Sequence, residues 1–213
     1  MDDLEHFGAS VDEARLVVVL LHGRDQDPGY METHVVRRVG DPSLAWLAPA
    51  APGRTWYPQR FFSPIEDNQP WLGQADDRLE RLTATLTAAG VPDERILWCG
   101  FSQGACLACH HVGRSPRRWA GLVAFTGGLI GPPDTAFRLD AGFAGMPAYF
   151  STGEADAWVP ADRVRETADA FAAAGARVTV DIVADREHEV SDVELARARA
   201  LFNGEAGSWA AGR

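Results

Sequence analysis

The sequence predicts an α/β fold, a mostly parallel central sheet with helices on both faces. Three observations carry this. Short apolar runs alternate along the chain with stretches of helical periodicity, the pattern of strands joined by crossover helices. The strongest run, Leu16-Val17-Val18-Val19-Leu20-Leu21, is apolar throughout, as a strand covered on both faces must be. No repeat, low-complexity segment or linker divides the 213 residues, which predicts one domain over 1–213, with 1–12 and 205–213 frayed at the ends.

The elements follow in order. After the Leu16–Leu21 strand, Pro28 to Val39 reads as helix, stopped by Gly40-Asp41-Pro42. Leu44 to Leu47 is the next strand, and residues 51–69 form a loop rich in aromatics and proline. Trp71 to Ala89 is a helix closed by Gly90. Ile96 to Cys99 is a buried strand, and after Gly100 to Gly104 the small, apolar Ala105-Cys106-Leu107-Ala108-Cys109 suits a buried helix. Trp119 to Phe125 is a strand, residues 127–147 a second long loop, and Ala148 to Ser151 a strand. Pro160 opens a helix that Gly175 ends. Arg177 to Val183 is the last strand, and Ser191-Asp192-Val193-Glu194 is a capping box for the last helix.

Composition narrows the function. Apolar residues make up 46% and charged residues 23%, an ordinary globular balance. A net charge of −10 argues against nucleic acid and anionic membrane as partners, since phosphates require a basic face. No apolar run approaches the ~18 residues of a membrane span. The start, Met1-Asp2-Asp3-Leu4-Glu5, lacks the layout of a signal peptide, and three cysteines make no disulfide framework; the expected location is the cytoplasm.

Gly100-Phe101-Ser102-Gln103-Gly104 sits between the Ile96 strand and the following helix. Strand, G-x-S-x-G, helix is the nucleophile elbow of α/β-hydrolases: a strained turn that lifts the serine hydroxyl out of the sheet and aims the N-terminus of a helix at a developing oxyanion. His22-Gly23-Arg24 directly after the first buried strand suits the second half of an oxyanion hole. The backbone N–H groups of Arg24 and Gln103 are the expected donors, with His22 structural. A serine nucleophile needs a base, and the base an acid, in the chain order Ser, acid, His. Of the six histidines only His188 lies far enough downstream, in a polar loop after a strand. The acid is Asp156, also in a post-strand loop. Glu154 is its main rival, and Asp162 is disfavoured by lying inside the helix. The roles follow: Ser102 attacks, His188 relays the proton, Asp156 holds the imidazole. This chemistry calls for no metal and no organic cofactor.

With these residues in place, the chain resembles the phospholipase/carboxylesterase family of serine hydrolases, which includes the acyl-protein thioesterases. The matches are His22-Gly23, Gly100-Phe101-Ser102-Gln103-Gly104, Asp156-x-x-Val159-Pro160 and the His188 loop. The resemblance implies an α/β-hydrolase fold with no cap domain, a small-molecule carboxylic ester or thioester as substrate, and a homodimer. Asp25 and Ala105 stand where the family commonly has glycine, and glutamates flank His188. The segment from Thr55 to Trp71 is unlike the acyl-protein thioesterases and points to a bacterial small-ester branch.

Trp56, Tyr57, Phe61, Phe62, Trp71 and Trp158 are candidate walls of a substrate pocket, Trp158 foremost because it lies two residues from Asp156. Arg24, Arg54 and Arg60 are either solvated, paired with surface acids, or aimed at a substrate carboxylate. Cys106-Leu107-Ala108-Cys109-His110 matches a c-type haem attachment pattern, but fits a buried helix behind the elbow better. Two other functions stay open: a dienelactone-type hydrolase, whose usual nucleophile is cysteine, and a non-hydrolytic ligand-binding protein or biosynthetic cyclase on the same fold.

Overall fold

A computed structural model describes residues 3–115, 117–139 and 142–204. Seven strands form one sheet: β1 (Leu4–Gly8), β2 (Leu16–Leu21), β3 (Leu44–Pro49), β4 (Ile96–Phe101), β5 (Gly121–Phe125), β6 (Pro147–Gly153) and β7 (Arg177–Val183), in spatial order β1-β3-β2-β4-β5-β6-β7. Every neighbouring pair is parallel except β1 against β3. The order reverses at β2, so the first βα connections fall on opposite sides of the β2/β4 pair, the crevice where open α/β sheets bind ligands.

Side-chain alternation divides the core in two. Val17, Val19 and Leu21 of β2 enter one apolar cluster, and Leu16, Val18 and Leu20 enter the other. The first cluster is closed by α3 (Trp71–Ala88), α4 (Gln103–Arg114) and α5 (Ala161–Ala173). The second is closed by a helical segment from Pro28 to Val39 and by α6 (Asp192–Phe202). That segment comprises α1 (Pro28–Met31), one π-turn (Glu32–Val36) and α2 (Arg37–Val39). Asp27 caps its start, accepting the Tyr30 N–H, and the Ser191/Glu194 capping box starts α6. Of the two long connections, residues 50–70 hold only short helical turns, and residues 126–146 hold neither helix nor strand among the described residues.

Two expectations about the ends need restating. Residues 1–12 were expected to fray, but Leu4–Gly8 is strand β1, paired antiparallel with β3 from Leu4↔Pro49 to Gly8↔Ala45. The backbone groups of β3 would otherwise form a bare edge, and β1 satisfies them. Leu4 and Phe7 add apolar contact to opposite faces of the sheet. The tail 205–213, also expected to fray, lies outside the described residues.

Candidate active site

β4 runs straight into Ser102, whose φ of 52° and ψ of −119° lie outside the regions an L-residue favours. Such a conformation costs about 1–3 kcal/mol and needs its surroundings to hold it. Ser102 donates its N–H to Phe125 O at 3.0 Å, and its carbonyl accepts from Cys106 N at 3.0 Å, which pins the turn between β5 and α4. The flanking glycines explain themselves by distance. A Cβ on Gly100 would lie 2.5 Å from Gly104 O, and one on Gly104 would lie 2.2 Å from Leu21 O. Neither position has room for a side chain while the first turn of α4 sits against the end of β2 and the end of β4.

Three side chains from separate post-strand segments meet here. His188 Nε2 is 2.8 Å from Ser102 Oγ, and His188 Nδ1 is 2.8 Å from Asp156 Oδ2. The other carboxylate oxygen of Asp156 accepts the N–H groups of Trp158 at 2.9 Å and Val159 at 2.8 Å. Burial alone would raise the Asp156 pKa. The hydrogen bond from His188 and the two backbone donors outweigh it and hold the carboxyl below its ordinary value. An ionised Asp156 accepts on both oxygens, so His188 carries its proton on Nδ1 and turns the Nε2 lone pair to the Ser102 hydroxyl.

The loop bearing His188 is tied down by Arg186. Its Nη1 donates to the carbonyls of Glu187 and Glu189, and its Nη2 donates to Thr126 Oγ1 at 2.6 Å. Its Nε lies 3.5 Å from Glu194 Oε2, with the side chains 3% and 0% exposed. Glu194 also accepts from the backbone N–H and hydroxyl of Ser191. The histidine loop is thereby fastened to β5 and to the first turn of α6.

The N–H groups of Arg24 and Gln103 have no acceptor among the described residues. Both residues use their side chains to strap the same loop. Arg24 donates to the carbonyls of Tyr57, Pro58 and Gln59, while Gln103 donates to Tyr57 O and accepts from Trp56 N. His22 is fixed too: Ala51 N donates to its Nε2, so Nδ1 carries the proton and donates to Gly23 O at 2.7 Å. Burial lowers its pKa and keeps it neutral.

A cavity of about 490 Å³ opens on Ser102 and His188, within the usual range for small-ligand sites. Of the six candidate wall residues, Tyr57, Phe61, Phe62 and Trp158 line it. Trp56 and Trp71 do not. Trp56 is 2% exposed, donates its indole N–H to His22 O and belongs to the core. Trp71, 51% exposed, stands at the start of α3 outside the lining. Cys106, which the sequence places on a buried helix behind the elbow, also reaches the cavity. Its place one helical turn after Ser102 is the signal that could have found it. Burial pushes its thiol up to about 11, far from a reactive thiolate. No group of three His, Cys, Asp or Glu side chains is arranged to hold a metal among the described residues, and no described helix is long and apolar enough to cross a membrane.

The sheet order and the serine turn between β4 and α4 define an α/β-hydrolase. The family model for phospholipase/carboxylesterase matches residues 8–203, and the chain belongs to that family of hydrolases. Among solved structures, a phospholipase/carboxylesterase from Dyadobacter fermentans DSM 18053 shares 32% identity over 92% of this chain and 94% of its own, with a TM-score of 0.85. Esterase PE8 superposes with a TM-score of 0.78 at 22% identity, over 94% of this chain and 97% of its own, a likeness of fold. Acyl-protein thioesterase 1 of Cryptococcus neoformans var. neoformans serotype D (strain JEC21 / ATCC MYA-565) is 24% identical over 140 residues, 58% of this chain and 59% of that protein. The match thus spans less than two thirds of this curated relative.

Proposed function

We propose that the chain hydrolyses small carboxylic esters through a Ser102–His188–Asp156 triad and an acyl-enzyme. The observation that carries the reading is the unbroken hydrogen-bonded series from Asp156 through His188 to Ser102, at 2.8 Å in each link, opening on a cavity. In the first half-reaction Ser102 Oγ adds to the ester carbonyl as its proton passes to His188 Nε2. The tetrahedral oxyanion lies against the N–H groups of Arg24 and Gln103, each worth about 3 kcal/mol when aligned. Collapse expels the alcohol, which takes the proton from His188. Water then adds to the acyl carbon as its proton passes to His188, and collapse breaks the bond to Ser102 Oγ, which takes that proton back from His188 as the acid leaves. Asp156 stays ionised throughout, holding the tautomer and stabilising the imidazolium.

Thioesters would follow the same steps with a thiol leaving group, and the name of the Cryptococcus relative makes them worth testing beside oxygen esters. The test is a fluorophosphonate probe with a panel of nitrophenyl esters of rising chain length and one acyl-thioester. The folded protein labels at Ser102, and Ser102→Ala abolishes labelling and lowers turnover by several orders of magnitude. A folded protein that resists the probe is a ligand-binding relative of the esterases instead.

A further inference from the structure

Arg60 is a charged residue of the cavity that the proposed chemistry leaves unused. Its guanidinium carbon lies 4.9 Å from the ring centroid of Phe62 and 5.7 Å from that of Trp158, and all three side chains line the cavity. Trp158 stands 6.4 Å from the His188 ring, so the guanidinium and the imidazole neighbour the same indole. The arginines of the surrounding segments are committed elsewhere. Arg24 donates to three carbonyls, Arg54 pairs with Asp27 at 2.9 Å, and Arg163 holds the carbonyls of Leu129, Gly131 and Pro132. Arg60 has neither a carboxylate nor a carbonyl partner among the described residues, in a chain whose 30 acids outnumber its 20 basic residues. Rings against a guanidinium restrict its flexible stem and leave its in-plane N–H fork to meet a planar, two-oxygen acceptor. The cavity's charge agrees: Arg24 and Arg60 stand against the single carboxylate of Asp25.

We propose that Arg60 receives a carboxylate on the substrate, so that the ester this site takes is an acidic one: a half-ester of a dicarboxylic acid, or the ester of a carboxylate-bearing alcohol. This rests on the esterase reading above and adds a substrate class to it. The test compares kcat/KM within two pairs. Monomethyl adipate against methyl hexanoate places the carboxylate on the acyl side; 4-acetoxybenzoate against 4-acetoxybenzamide places it on the leaving group. The wild-type protein favours the acidic member of at least one pair by about tenfold, the worth of a charge-assisted hydrogen bond weakened by solvent. Arg60→Gln removes that ratio, Arg60→Lys keeps part of it, and about 0.5 M salt shrinks it. Equal turnover within both pairs, a ratio that survives Arg60→Gln, or preference for a cationic choline ester overturns the proposal while the esterase reading stands. If no ester is turned over and Ser102 resists the fluorophosphonate, the esterase reading falls instead. Calorimetry of monomethyl adipate on Ser102→Ala protein then judges Arg60 alone. Binding that disappears with Arg60→Gln supports the carboxylate site, and no binding rejects it.

Discussion

Arg186 straddles His188: one guanidinium nitrogen donates to the carbonyls of Glu187 and Glu189, the residues on either side of the imidazole. The same guanidinium is buried against Glu194 and Thr126. The clamp acts on the backbone of the loop and leaves the ring itself to Asp156 and Ser102. Arg186 is therefore a positioning residue. Arg186→Gln leaves the Glu194 carboxylate buried without its cation, which costs about 3 kcal/mol of stability in a urea titration. On protein that remains folded, it slows fluorophosphonate labelling of Ser102 and lowers kcat more than it raises KM. Stability lost with labelling rate intact would reduce Arg186 to a packing role.

Asp156→Asn separates holding the loop from holding the tautomer. The amide that replaces the carboxylate keeps one oxygen to accept from Trp158 and Val159, so the turn survives. Its NH2 then faces His188 Nδ1, which must become an acceptor, and the ring proton moves to Nε2, where it can no longer take the proton of Ser102. The expected result is a kcat lower by about 10³–10⁴ with a melting temperature close to that of the parent. A small loss of kcat would mean that Glu154, the rival acid, serves His188 in its place.

The parts of this structure that were legible in the sequence are those whose signal is local. β2 and β4 are apolar runs bounded by turn residues, and Ser102, Asp156 and His188 each follow a strand in a recognisable loop. β1 was not legible, because Leu4-Glu5-His6-Phe7-Gly8 is short and half polar, and its pairing depends on the edge of β3, some forty residues away. The cavity wall was only partly legible. Trp56 and Tyr57 are adjacent, yet Trp56 is turned to His22 and Gln103 while Tyr57 reaches the cavity. That choice lies in hydrogen bonds between distant segments. Arg186 went unread for the same reason, since its partners Thr126 and Glu194 lie in other elements.

The two tryptophans at 56 and 158 should therefore behave oppositely. Trp56→Ala empties a core position and breaks the indole bond to His22 O, for a loss of about 3–5 kcal/mol. Trp158 is 60% exposed, so Trp158→Ala leaves stability within about 1 kcal/mol and instead raises KM for esters that fill the cavity. Chemical denaturation with steady-state kinetics on both variants decides it. A KM effect from Trp56 with unchanged stability would return that residue to the substrate wall.

His110 sets an acid limit on stability that is separate from catalysis. Burial, the largest influence, drives its imidazole from 6.5 down to about 4; the Asp76 carboxylate pulls it upward, and Arg114 and His111 push it further down. In the unfolded chain it titrates at the ordinary value. Below pH 6.5 the unfolded state therefore binds a proton that the folded state refuses, and stability falls with pH until the folded group titrates near 4. At about 1.4 kcal/mol per pH unit, the loss reaches about 3 kcal/mol across that window. Asp76 and Asp156, whose pKa values are lowered from 3.8, give up their contributions only below it. His22, also lowered, adds a slope of the same sign, so the measurement is a difference. In urea titrations at pH 7 and 4.5, His110→Gln should lose about 2 kcal/mol less than the wild-type protein between the two pH values. Parallel losses in the two proteins would mean that His110 keeps an ordinary pKa in the fold.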